Sequence, residues 1–126
     1  MWPFYDHSPK GMGGIMLKKG LRLKKSGDFQ RTFAAGRSYT SRQAVIYLVK
    51  GDTCFGFIAS KKVGNSVKRN RAKRLMREAV RLNLSRIKPG YQVVLIARRD
   101  IIRATYAEVE KSVLFMLRKA GVADGN

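Results

Sequence analysis

The chain has 126 residues, enough for one domain with its own core, and its 27 Lys and Arg against 8 Asp and Glu give a formal charge of +19. A hydrophobic fraction of 44% excludes a disordered basic tail, and no apolar run approaches the ~20 residues a membrane-spanning helix needs. One cysteine (Cys54) and one histidine (His7) exclude an internal disulfide, leave little for a Cys-His or Ser-His-Asp hydrolase or a His-ligated zinc site, and point to a reduced, cytoplasmic setting.

Residues 1–15 hold two of the three prolines and three glycines, with no secretory apolar segment, and read as a flexible extension. Met16 opens a more regular stretch, so a single domain is expected over 16–126. Residues 26–36 predict a short helix, capped by Ser26 or Asp28 and stopped by Gly36 in the left-handed region. Phe29 and Phe33, four apart, share one face of it. Tyr39 begins a short extended piece. Val45–Val49 and Cys54–Ala59 predict strands, and Gly51-Asp52 between them predicts a tight hairpin.

Residues 66–83 predict a helix capped by Asn65 or Ser66, with Ala72, Leu75, Met76, Ala79 and Leu82 as its buried stripe. Pro89-Gly90 closes the connection to Tyr91–Ala97. That run is nearly all apolar, as in a central strand covered on both faces. Thr105 and Glu108 have capping-box spacing. The helix they start turns Val109, Val113, Met116, Leu117 and Ala120 inward and ends at Gly121. The order is α-β-β-β-α-β-α, an α+β fold. The strands before and after the 66–83 helix should be parallel, and general rules favour a right-handed crossover.

The charge is concentrated. Residues 61–88 hold 11 basic residues and one acid, Glu78, and a second cluster is Lys18, Lys19, Arg22, Lys24 and Lys25. Such density points first to nucleic acid, ahead of an anionic membrane or an acidic protein. A membrane surface needs a surplus apolar face beside the charge, and none is visible. Lys68, Arg69, Arg71 and Lys73 crowd the start of the 66–83 helix, where unpaired amides already present positive charge; an external polyanion there turns that cost into attraction. Asn70, uncharged between two arginines, can hydrogen-bond a base edge, a 2′-hydroxyl or a metal-bound water while its neighbours fork onto phosphates.

The string from Ser60 to Ala79, with Arg69-Asn70-Arg71 at its centre, resembles the signature of the bacterial ribonuclease P protein subunit. Arg22–Phe29, with Phe33 and Gly36, is similar to that family's first helix, and Val93–Arg98 to its last strand. The resemblance runs from about Leu21 to Gly121; residues 1–15 lie outside it. It implies a two-layer α/β sandwich, similar to the ribosomal protein S5 domain 2-like fold, with a left-handed β-α-β crossover in place of the general expectation. It implies a protein that binds a catalytic RNA in the ribonucleoprotein that removes the 5′ leader of precursor tRNA, its partners being one RNA and its substrate in a one-to-one holoenzyme, with no catalytic residue on the protein and Mg2+ held mainly by RNA.

By the same resemblance, Arg69, Asn70, Arg71, Lys73, Arg74 and Arg77, with Lys61, Lys62 and Asn65 in the preceding loop, meet the catalytic RNA. Phe29, Phe33 and Tyr47 are similar to the aromatic positions of a groove for the single-stranded leader, flanked by Arg22, Lys24, Lys25 and Arg42. Base stacking on aromatic faces tolerates any leader sequence. The residues alone leave Phe29 and Phe33 open to a plain core role. Two rivals remain at this point: a ribosomal or general RNA chaperone without a processing role, and a nuclease in its own right. The scarcity of acids (Asp28, Asp52, Glu78 and Asp100 among the few) argues against the second.

Overall fold

The computed structural model describes residues 26–124. The expectations for residues 1–15, for a start at Met16, for Arg22, Lys24 and Lys25, and for capping by Ser26 or Asp28 lie outside the described residues and side chains. The elements are α1 (Ser26–Ala35), β1 (Arg37–Thr40), β2 (Ala44–Lys50), β3 (Cys54–Ile58), α2 (Ser66–Leu82), β4 (Tyr91–Ala97) and α3 (Tyr106–Lys119), with short 3-10 turns at Leu84–Arg86 and Arg99–Arg103.

The four strands form one sheet in the order β1-β2-β4-β3. β4 is central, antiparallel to β2 and parallel to β3. Its apolar run therefore serves two ladders and is covered on both faces. This placement overturns the hairpin expected at Gly51-Asp52. β2 and β3 are separated by β4, so the connection between them arches over the start of β4 instead of closing a two-strand turn. The arch is pinned to that start: Gly51 N–H donates to Gly90 O at 3.0 Å, and Gly90 N–H donates to Thr53 Oγ1 at 2.6 Å. Gly51 does not take a positive φ, and it lies close to the Arg31 and Gln92 side chains: a Cβ would be 2.8 Å from Arg31 Nη2 and 3.2 Å from Gln92 Cδ.

Register sorts the side chains into two faces. Ile46, Leu95 and Phe57 align across three strands, as do Leu48, Val93 and Phe55. All six are buried and face α2 and α3. Fully burying side chains of this size stabilises by about 1.5–3 kcal/mol each. Tyr47, Val94 and Gly56 align on the opposite face, which α1 crosses. α1 covers that face only in part, for Val45, Tyr47, Val49, Ile58 and Ile96 remain half-buried. Gly36 closes α1 against β2 and does not take the left-handed stop expected of it. A Cβ there would meet Thr32 O at 2.3 Å and Leu48 O at 2.7 Å, so close backbone approach selects glycine.

α3 buries Val109, Val113, Met116 and Leu117 as its pattern predicts, Ala120 follows them into the core, and Gly121 takes φ +81°. α2 follows its pattern in part: Ala72, Met76 and Ala79 are buried as expected. Its buried residues are Ala72, Met76, Arg77, Ala79 and Val80, while Leu75 is half-buried and Leu82 is 51% exposed. The buried stripe is rotated by about one residue from the expected one. Arg77 replaces a leucine in it by laying its guanidinium 5.7 Å from the centre of the Phe57 ring, its stem packed on the sheet.

Candidate RNA interface

The rotation of α2 divides its cations between two faces. Asn70, Arg71 and Arg74 are exposed on the side opposite the core, with Val67 beside them. Arg71 Nη2 donates to Ala104 O at 3.1 Å, which ties this face to the start of α3. No acid stands in the first turn of α2, so nothing on the helix offsets its positive end.

Arg69, Lys73 and Arg77 fall on a flank that turns toward the sheet. Arg69 and Lys73 are half-buried, and Arg77 is 5% exposed. Burial lowers the Lys73 ammonium below its ordinary value, and the neighbouring charges of Arg77 and Arg69 lower it further. The structure thus takes Arg77 out of the docking face expected for it, because its stem completes the core over Phe57. Arg69 Nη2 donates to Ser66 Oγ at 3.3 Å, which holds it along the helix start.

Lys61 and Lys62 are exposed in the turn before α2. That turn is built by Val63 N–H donating to Ser60 O and Gly64 N–H donating to Lys61 O. Asn65 is the cap of α2: its Oδ1 accepts from Lys68 N–H at 3.0 Å. Its first duty is therefore structural, and it brings Lys61, Lys62 and the outer face of α2 into one continuous basic surface.

The aromatic groove lies on the other side of the sheet. Phe33 is 38% exposed at its rim, edge-on to Tyr47 with ring centres 5.2 Å apart. Phe29 is 1% exposed and belongs to the core, so the stacking role expected of it does not fit its position. One helical face carries both rings, but only the last turn of α1 reaches the edge of the covered region. Arg42 is not brought to this pair. It sits in the β1–β2 turn, with Nε 3.5 Å from Asp100 Oδ2, beside Gln43, Arg103 and Glu108. Both partners of that ion pair are exposed, so it contributes little to stability.

The reading of the sequence missed Val67 as a surface residue, and missed that Leu75, packed in part against the core, also reaches the surface. With Asn70, Arg71 and Arg74 they line a depression of about 500 Å3. Their spacing (67, 70, 71, 74, 75) is a second helical stripe that a search for one buried face passes over.

Comparison with known proteins places the chain in a family. The family model described as Ribonuclease P matches residues 17–121. A "Ribonuclease P protein component" of Alkaliphilus metalliredigens is 44% identical over 106 residues, covering 82% of this chain and 96% of the relative. One from Clostridium novyi is 43% identical over 111 residues, covering 84% and 98%. Among solved structures, the RNase P protein of Staphylococcus aureus superposes with a TM-score of 0.73 at 33% identity, covering 84% of this chain and all of that one. The RNase P protein of Thermotoga maritima gives 0.72 at 28% identity, covering 78% and 96%.

Proposed function

Because this chain belongs to the ribonuclease P protein family, and so is an RNA-processing subunit that partners a ribonuclease P RNA, we propose a division of labour between its two surfaces. The outer face of α2, with Lys61 and Lys62, docks on the catalytic RNA. The groove between α1 and the sheet receives the single-stranded 5′ leader of precursor tRNA, one protein serving one RNA in the cytoplasm. Hydrolysis belongs to the RNA component. Mg2+ enters this reading as an ion held mainly by RNA oxygens.

One observation carries the docking role: Asn70, Arg71 and Arg74 share the exposed face of a helix whose first turn carries Lys68 and Arg69 and no acid. Charge placed there is costly to the isolated fold and favourable beside phosphates. The groove role is supported by the half-exposed Phe33–Tyr47 pair, an aromatic platform that requires no particular base.

The test is reconstitution with a bacterial ribonuclease P RNA and a precursor tRNA at low Mg2+. The protein should raise 5′ maturation above that of RNA alone; no gain overturns the reading. Phe33→Leu should weaken precursor binding more than mature tRNA binding, by about 1–3 kcal/mol if one stacked base is lost. Equal losses for both would assign Phe33 to packing. A general RNA chaperone would bind unrelated RNAs alike and leave the cleavage rate unchanged.

A further inference from the structure

The outer face of α2 contains more than phosphate recognition requires. Phosphates need cations and amides, yet this face places Val67, 76% exposed, and the half-buried Leu75 among its cations. Exposing Val67 has no benefit to the isolated fold, since Ala72, Met76, Ala79 and Val80 close the core on the other side, with Leu75 packed in part against them. Val67 and the outward side of Leu75 line one depression with Asn70, Arg71 and Arg74.

A nucleobase matches those walls: an apolar face, a hydrogen-bonding edge, and anionic phosphates on either side. RNA bases become available in this way where loops and bulges leave them unstacked. We propose that the depression on α2 receives one unstacked nucleobase of the catalytic RNA. Its face lies on Val67 and Leu75, its edge meets the Asn70 carboxamide, and Arg71 and Arg74 hold the flanking phosphates. Arg71 is placed before RNA arrives, by its bond to Ala104 O. The proposal rests on α2 being the docking face, and deepens it: sequence or loop structure in the RNA, as well as its charge, is recognised here. Charge commits the occupant to nucleic acid. The five lining residues include two arginines and no acid, and a second copy of this chain carries the same +19 and is repelled.

The test fills the depression without changing charge. Val67→Trp alters an exposed helix position, and thermal melting should show the fold retained. In the complex with the catalytic RNA, the wild-type protein should make one nucleotide reactive to 2′-hydroxyl acylation, as an unstacked sugar is, while protecting its base edge from alkylation. Val67→Trp should abolish both signals and weaken binding about tenfold, leaving the slope of log Kd against log salt unchanged because the phosphate contacts persist. The milder Val67→Ala should keep the footprint and weaken binding less. Unchanged affinity and footprint in Val67→Trp overturn the proposal. So does a fall in the salt slope, which would make the depression a phosphate seat. A dimer in sedimentation that Val67→Trp dissociates would assign the surface to a second copy and overturn it as well. Failure of the wild-type protein to bind the RNA at all would instead reject the docking face itself.

Discussion

α2 and α3 pack side by side behind the same sheet and follow opposite rules. α3 begins with a complete capping box, Thr105 and Glu108 exchanging bonds, and ends with Arg118 and Lys119 at its negative end. Its inward stripe is the one its periodicity predicts. α2 has cations and no acid at its positive end, a half-buried lysine held below its ordinary pKa, an arginine in its core stripe and valine in its solvent face. α3 is composed for the fold. α2 is composed for something outside it, and a helix that departs both from local electrostatics and from its own apolar pattern marks where a partner completes the structure.

The strongest way to break this contrast is to remove equal charge from both helices. Arg71→Ala with Arg74→Ala should weaken catalytic-RNA binding by about 3 kcal/mol or more, as two charge-assisted bonds are lost, and lower the salt slope by about 1.4–1.8. Lys111→Ala with Lys119→Ala, on exposed positions of α3, should change both far less. Titration of labelled RNA at several salt concentrations checks this. Equal losses would mean that net charge binds RNA and that α2 holds no special face.

Cap variants sharpen the contrast from the stability side. Thr105→Ala removes the acceptor for Glu108 N–H at 3.2 Å and should destabilise the protein by about 1 kcal/mol in denaturant melts, with RNA affinity unchanged. Asn65→Asp retains the cap on α2 and adds the negative charge its start lacks. It should stabilise the protein by about 0.3–1 kcal/mol and weaken RNA binding. Stabilisation without weaker binding would detach the charge pattern of α2 from RNA.

The same two helices show what could be read in the residues and what could not. Local signals were sound where they acted locally: the caps at Asn65 and Thr105, the turn of the chain at Gly51, the central position of Tyr91–Ala97. The hairpin failed because turn chemistry reports that the chain reverses, not which strand it then meets; β4, much later in the chain, takes the place beside β2. The phase of α2 failed because periodicity treats arginine as solvated. Arg77 has an aliphatic stem and an aromatic ring to lie on and enters the stripe, while Leu75 stays half-buried against the core and Leu82 faces solvent. In the groove, Phe29 and Phe33 are indistinguishable by spacing; the crossing of α1 over the sheet separates one into the core and leaves the other at the rim.

The smallest expected effect lies on the flank of α2, where Lys73 stands between Arg69 and Arg77. Burial and those two charges favour its neutral form in the folded protein, while the unfolded chain titrates at the ordinary 10.5. Between the lowered value and 10.5 the unfolded chain therefore binds more protons, and Lys73 becomes less costly to the fold as pH rises through that window. Below the window the cost is carried in full. Relative to Lys73→Met, wild-type stability should improve with pH across it, as denaturant melts of the two proteins can show. Phosphates near this flank act against burial and restore the charged form. Docking should then take up a proton within the window and weaken as pH rises through it. Calorimetry in two buffers of different ionisation enthalpy measures that uptake. Its presence would extend the docking face from Asn70, Arg71 and Arg74 round to the flank; its absence in the wild-type protein would confine RNA to the outer face and leave Arg69 and Lys73 to the steering of its approach.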